Sequence, residues 1–166
     1  MTEHRGGRWP PGTRFAVDVV LFSRRPKGLA VLAVERAKEP FATALALPGG
    51  FIQPGEQPAA AAVRELAEET GIVFGAGGLR RLAVYGTPGR DPRGRVISAA
   101  YHGLLPTALT AVAGSDARAA RWVDVAEFVR PQARAAFDHS EIVRDALWAR
   151  FDWLPDHALQ PGVSEQ

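Results

Sequence analysis

The chain contains no cysteine, which excludes disulfides, thiolate metal sites and a cysteine nucleophile. It also lacks any long apolar run near its start. Met1 to Gly12 is polar and rich in Arg, Gly and Pro, unsuited to a signal peptide or a membrane span. Cytoplasmic residence with no membrane partner is the simplest expectation. Nor is there an excess of one charge: Lys plus Arg number 20 against 18 for Asp plus Glu. The arginines are scattered along the chain, an argument against nucleic acid as a dedicated partner.

What is present suits one globular unit. The 166 residues are 46% apolar and 23% charged, a mixture able to bury a single core. The domain is expected over residues 13–154, with 1–12 a flexible arm and 155–166 a loosely held tail. Heavy use of Ala, Arg and Gly is the composition expected from a GC-rich bacterial genome.

Thr13 to Ser23 and Leu29 to Glu35 are apolar segments joined by a Pro- and Gly-containing connection, which reads as a strand hairpin. Pro58 to Thr70 has helix-forming composition, with Pro in its first turn and Gly71 just past its end. Leu79 to Tyr85 and Val96 to Leu105 read as a second hairpin across the turn-like run Gly89 to Gly94. Arg121 to Val125 offers a last strand. Ser140 to Arg150 places Ile142, Val143, Ala146 and Leu147 at helical spacing. Strands enclosing a central acidic helix predict an α+β fold, an α/β/α sandwich.

In the first helix Glu65, Glu68 and Glu69 stand at i, i+3 and i+4, so three carboxylates share one side. Like charges at this spacing repel, and near a helix C-terminus the macrodipole disfavours anions as well. A hard divalent cation reverses that balance, since magnesium and manganese prefer carboxylate and water oxygens. The alternative is a solvated acidic face relieved by Arg64. Gly49 and Gly50 precede the helix through a loop containing Pro54, Gly55 and Glu56, so bare backbone can approach whatever the carboxylates hold.

From Gly50 to Ile72 the chain reads glycine, five residues, Glu56, seven residues, then Arg64, Glu65, Leu66, Ala67, Glu68, Glu69, Thr70, Gly71 and Ile72. This resembles the complete Nudix box, with no departure at any defined position. The resemblance implies the Nudix fold, with a mixed sheet and the box as a loop, helix and loop carrying the metal site. It implies Glu65, Glu68, Glu69 and the Gly49 carbonyl as ligands of Mg2+, with Mn2+ as a substitute. Arg64, Glu56 and Gly50 take supporting roles: Arg64 can fix a carboxylate through a two-pronged hydrogen bond, and Glu56 can brace the loop. The implied reaction is hydrolysis of a pyrophosphate bond in a nucleotide, and many relatives are homodimers. The catalytic base is drawn in this family from the box or from a later acidic residue. Asp116 is the candidate there, and the alternative is a plain turn aspartate.

Substrate choice lies outside the box. The run Arg90, Asp91, Pro92, Arg93, Gly94, Arg95 could clamp phosphates or stack on a base, or be an ordinary charged turn. This run, with Asp18 and the stretch Ala136, Phe137, Asp138, His139, resembles the bacterial branch holding ADP-ribose pyrophosphatases and regulators of NAD metabolism. Pro88 matches a marker of its ADP-ribose hydrolysing members. Hydrolysis of ADP-ribose is therefore the leading expectation. Triphosphate clean-up and a non-catalytic ADP-ribose sensor are the alternatives, the sensor disfavoured by the intact glutamates and by the lack of a following winged-helix domain. Asp138 and Glu141 read as a helix capping box. The tryptophans at 122, 148 and 153 read as core or dimer-contact residues.

Overall fold

The computed structural model describes residues 9–26, 28–114 and 117–152. The chain runs β1 (Arg14–Arg25), β2 (Gly28–Arg36), β3 (Leu45–Ala46), β4 (Gly49–Phe51), α1 (Pro58–Thr70), β5 (Arg80–Tyr85), β6 (Val96–Leu105), β7 (Ala117–Asp124), α2 (Val125–Val129) and α3 (His139–Phe151), with one 3-10 turn at Ala76–Gly78. The strands form one mixed sheet in the order β3-β2-β1-β6-β5, with β4 added on β1 and β7 on β2. Both expected hairpins form, β1 with β2 and β5 with β6. The long pairing of β1 with β6 is parallel.

β1 is the axis of the molecule because it is apolar on both faces. Val17, Val19 and Leu21 turn to one side and pack with Ala61, Ala62 and Leu66 of α1. Val20 and Phe22 turn to the other and meet Phe128, Ile142, Val143 and Leu147 of α2 and α3. This alternation is the period of a strand, and helices on both faces complete the expected sandwich. On the second side, the place next to Val20 is taken by Asp18, 6% exposed. β1 pairs with β2 only from Phe22 to Arg25, and with β4 from Ala16 to Asp18. The two strands thus diverge, and the short β4 fills the gap where the site forms.

α1 has the bounds expected for it. Pro58 starts it, and Gly71 ends it in a left-handed turn at φ +69°, its N–H bonding Ala67 O. The segment before β7 docks on that end: Val112 N–H donates to Thr70 O at 2.9 Å and Gly114 N–H to Glu69 O at 3.0 Å. These bonds satisfy carbonyls that a helix end leaves open.

Two expectations are corrected. The last strand begins at Ala117 and stops at Asp124, so Val125 opens α2 instead of closing the strand. The cause is Asp124, whose carboxylate accepts the Ala126 N–H at 2.8 Å and caps α2. Asp138 precedes α3 but its side chain makes no capping bond; the carboxylate is taken by Arg90 instead. Of the tryptophans, Trp122 packs beside the α1-side core and donates Nε1–H to Leu109 O. Trp148 is exposed. Trp153 and the expected tail lie outside the described residues, as does most of the expected N-terminal arm.

Candidate active site

The site is assembled where β4 meets α1. Gly49 has no room for a side chain, since a Cβ would run into the Val17 carbonyl; at Gly50 a Cβ would strike the Glu65 carboxylate. Three hydrogen bonds tie the chain through this point. Leu47 N–H donates to His139 Nδ1 at 2.9 Å, Val19 N–H to Pro48 O at 2.9 Å, and Gly49 N–H to Glu69 Oε2 at 3.0 Å.

Arg64 organises the carboxylates. Its Nε and Nη2 make a two-pronged bond to Glu56, at 2.7 and 2.9 Å, and Nη2 also reaches Phe51 O. Its Nη1 bonds Glu65 at 2.7 Å and Glu68 at 3.1 Å. The Arg64 bonds hold the Glu56 carboxyl down to about 2, and Arg64 itself is raised above its ordinary value, chiefly by Glu56. Glu56 closes its loop by accepting Gln53 N–H. Glu65 is raised, burial outweighing its bond from Arg64. Glu69 is pushed up to about 7, first by burial and then by the nearby Glu65 and Asp18 charges, against the opposing Gly49 N–H bond.

Among the described residues no three acidic or histidine side chains converge as a ready-made ion cage. Arg64 draws Glu65 and Glu68, while Glu69 folds back on Gly49. The donor set nonetheless fits a hard divalent cation: oxygen ligands only, with one carboxylate whose charge is disfavoured by burial first and by its like-charged neighbours second.

Glu69 opens on a cleft of about 240 Å³ whose wall includes Gly49, Gly50, Phe51, Arg36, Arg90 and Arg93. The arginine run is divided by the fold. Arg90, 5% exposed, is committed to Asp138 at 2.5 and 2.7 Å and to Asp18 at 3.4 Å. Asp91 is buried and binds the Arg93 backbone N–H, Nε and Nη2. The Arg93 guanidinium, partly exposed, lies 5.6 Å from the ring centres of both Phe51 and Phe137. Arg95 bonds Gly86 O and is not among the lining residues. Asp116 lies outside the described residues.

Sequence reasoning missed Arg36, Phe51 and Phe137 as wall residues. Arg36 stacks on Phe137 at 4.9 Å, and burial, with the Arg93 charge, lowers it below its ordinary value. No local pattern marked Arg36. Phe137 had a signal in its place beside Asp138 and His139.

The NUDIX domain pattern matches residues 12–146. The chain belongs to the Nudix family. Within it, the chain is 40% identical over 132 residues to the ADP-ribose pyrophosphatase of Methanocaldococcus jannaschii, covering 80% of this chain and 72% of that protein. It is 29% identical over 158 residues to the ADPR-responsive transcriptional repressor NtrR of Acinetobacter baylyi, covering 91% of this chain and 62% of the repressor. Among solved structures, the Nudix domain of Shewanella oneidensis NrtR with ADP ribose superposes with a TM-score of 0.75 at 29% identity, covering 83% of this chain and 91% of that one. A Francisella tularensis bifunctional NMN adenylyltransferase/ADP ribose pyrophosphatase with AMP and a Mn ion gives 0.70 at 28%, covering 82% of this chain and 41% of that one. The box Gly50 to Ile72 falls inside the matched region, and Nudix enzymes generally work with a divalent metal.

Proposed function

We propose that this Nudix protein hydrolyses the pyrophosphate bond of ADP-ribose to AMP and ribose 5-phosphate, using Mg2+ with Mn2+ as a substitute. The observation that carries the reading is Glu69, braced on the Gly49 amide in the wall of a cleft that Arg36 and Arg93 also line. A carboxylate for a cation thus shares one cleft with arginines for phosphate oxygens. The similarity to the M. jannaschii pyrophosphatase supports the substrate, as do ADP ribose and AMP in the two related structures.

Glu65, Glu68, Glu69 and the Gly49 carbonyl would hold the cation, which supplies charge neutralisation on the diphosphate and lowers the pKa of a bound water. Arg64 holds the Glu65 and Glu68 carboxylates together, and Glu56 keeps Arg64 in place. Glu69, fixed on the Gly49 amide at the cleft wall, is the first candidate to take a proton from the attacking water. Arg93 offers its guanidinium to phosphate, with Phe51 and Phe137 beside it as aromatic faces for a base or sugar. Asp116 is retained as the second candidate base, and a homodimer as the working assembly.

A panel of nucleotides with purified protein and Mg2+, resolved by chromatography, tests this. AMP and ribose 5-phosphate are expected from ADP-ribose. Consumption of a nucleoside triphosphate with ADP-ribose left intact would move the substrate to the triphosphate class. Binding of ADP-ribose without turnover would favour the sensor reading, for which the likeness to the A. baylyi repressor speaks.

A further inference from the structure

On the cleft wall, where Asp18, Arg90 and His139 line it, polar side chains form one chain on the face of β1 that is otherwise apolar. Arg90 bonds Asp138, which precedes α3, and Asp18 in β1. Asp18 accepts the Ser98 hydroxyl at 2.6 Å and lies 3.3 Å from His139 Nε2. His139 Nδ1 in turn accepts the Leu47 N–H, so the ring proton is on Nε2, directed at Asp18. Leu47 lies between β3 and β4, beyond the paired residues of either strand. Pro48, Gly49 and the bond to Glu69 follow directly.

Asp18, Ser98 and His139 are buried, and the Arg90 side chain is 5% exposed. Burying ionic groups beside Val20 and Phe22 costs desolvation, and apolar side chains of similar size often give equal or greater stability. Stability alone is a weak reason for the chain. What it supplies is fixed geometry, because the chain ends in the His139 bond to the backbone beside Gly49.

We propose that His139, Asp18 and Arg90 are positioning residues that hold the Leu47–Gly49 segment at a set spacing from Glu69, and so pre-form the cation site. On this view the Arg90 guanidinium is taken up by Asp138 and Asp18, and contact with phosphate falls to Arg93. The inference rests on the pyrophosphatase reading for its link to turnover, but not for its structural core.

Two measurements on metal-free protein test that core. In 15N-histidine-labelled protein, long-range correlation should find the His139 proton on Nε2. In His139→Ala, hydrogen exchange at the Leu47 amide should quicken at least tenfold while the Leu66 amide in α1 is unchanged, and Mn2+ affinity read by EPR should fall about tenfold. Arg90→Lys keeps the charge but loses the planar fork. It should lower kcat tenfold to a hundredfold with KM for ADP-ribose within about threefold, and weaken Mn2+ in step. If His139→Ala does not fold, Asp18→Asn and Arg90→Lys carry the same Leu47 and Mn2+ readouts. A proton on Nδ1, an unchanged Leu47 amide with unchanged Mn2+ affinity, or a rise in KM alone in Arg90→Lys overturns the proposal. Loss of Mn2+ affinity in a protein that leaves ADP-ribose intact would keep the positioning role and discard the substrate.

Discussion

At Gly50 the lack of a side chain has a direct consequence, since a Cβ there would enter the space of the Glu65 carboxylate. Gly50→Ala should therefore push Glu65 off Arg64 while leaving the apolar core untouched. A tenfold or greater loss of kcat with an unaltered circular dichroism spectrum is the expected pair of results. Glu69 can be tested more directly. Glu69→Gln keeps the shape and the Gly49 bond but removes the charge, and turnover should fall by about a hundredfold or more, as when one preorganised group is lost from a polar site. Unchanged turnover in that variant would take Glu69 out of the mechanism. Asp91 gives a pH effect with a definite sign. Burial alone would raise its carboxyl, but the Arg93 bonds outweigh this and hold it below the ordinary value of 3.8. The folded state then binds fewer protons than the unfolded one, so the Asp91 contribution is present above that value and is lost as pH falls below it. The stability difference between wild type and Asp91→Asn, from urea titrations, should shrink on acidification through this range.

α1 is the element on which core and site depend together. Leu66 of α1 is fully buried against β1, one residue from Glu65 and two from Glu68. Leu66→Ala should cost about 2–5 kcal/mol of stability in urea unfolding. How much of each element could be read in advance follows from what fixes it. The bounds of α1 were legible because proline and glycine act through the backbone itself. β1 and β6 were legible because their apolar runs are long. β3 and β4 span two and three residues, too few to show a period, and exist through their partners in β2 and β1. The first half of β7, with Ala117, Ala119 and Ala120, carries no contrast between its faces, and this hid its start. At the site, the box spelled out Arg64 and the glutamates, since they sit within one helix. The joining of Asp18, Arg90 and His139 was not legible, because only the folded sheet brings β1, the β5–β6 connection and α3 together.

For the molecule as a whole, the strongest expectation concerns the cation. Dialysis against a chelator should abolish ADP-ribose hydrolysis, and Mg2+ or Mn2+ should restore it and raise the thermal midpoint, because an ion bound only by the folded state stabilises it. Recovery of activity without any added divalent ion would exclude the site built on Glu65, Glu68 and Glu69. Light scattering checks the proposed homodimer, for which a mass near twice 17.8 kDa is expected. The described residues contain no helix long and apolar enough to cross a membrane.

The docking of Val112 and Gly114 on the last turn of α1 bears on where such a protein can change. A length change in the stretch just before β7 would tug on the carbonyls of Glu69 and Thr70 and unsettle the chemistry from a distance. Ala37, Lys38 and Glu39, which follow β2, also line the cleft and are not the residues that form this tether. New specificities would thus be acquired by remodelling that part of the wall, while the tether behind the glutamates keeps its length.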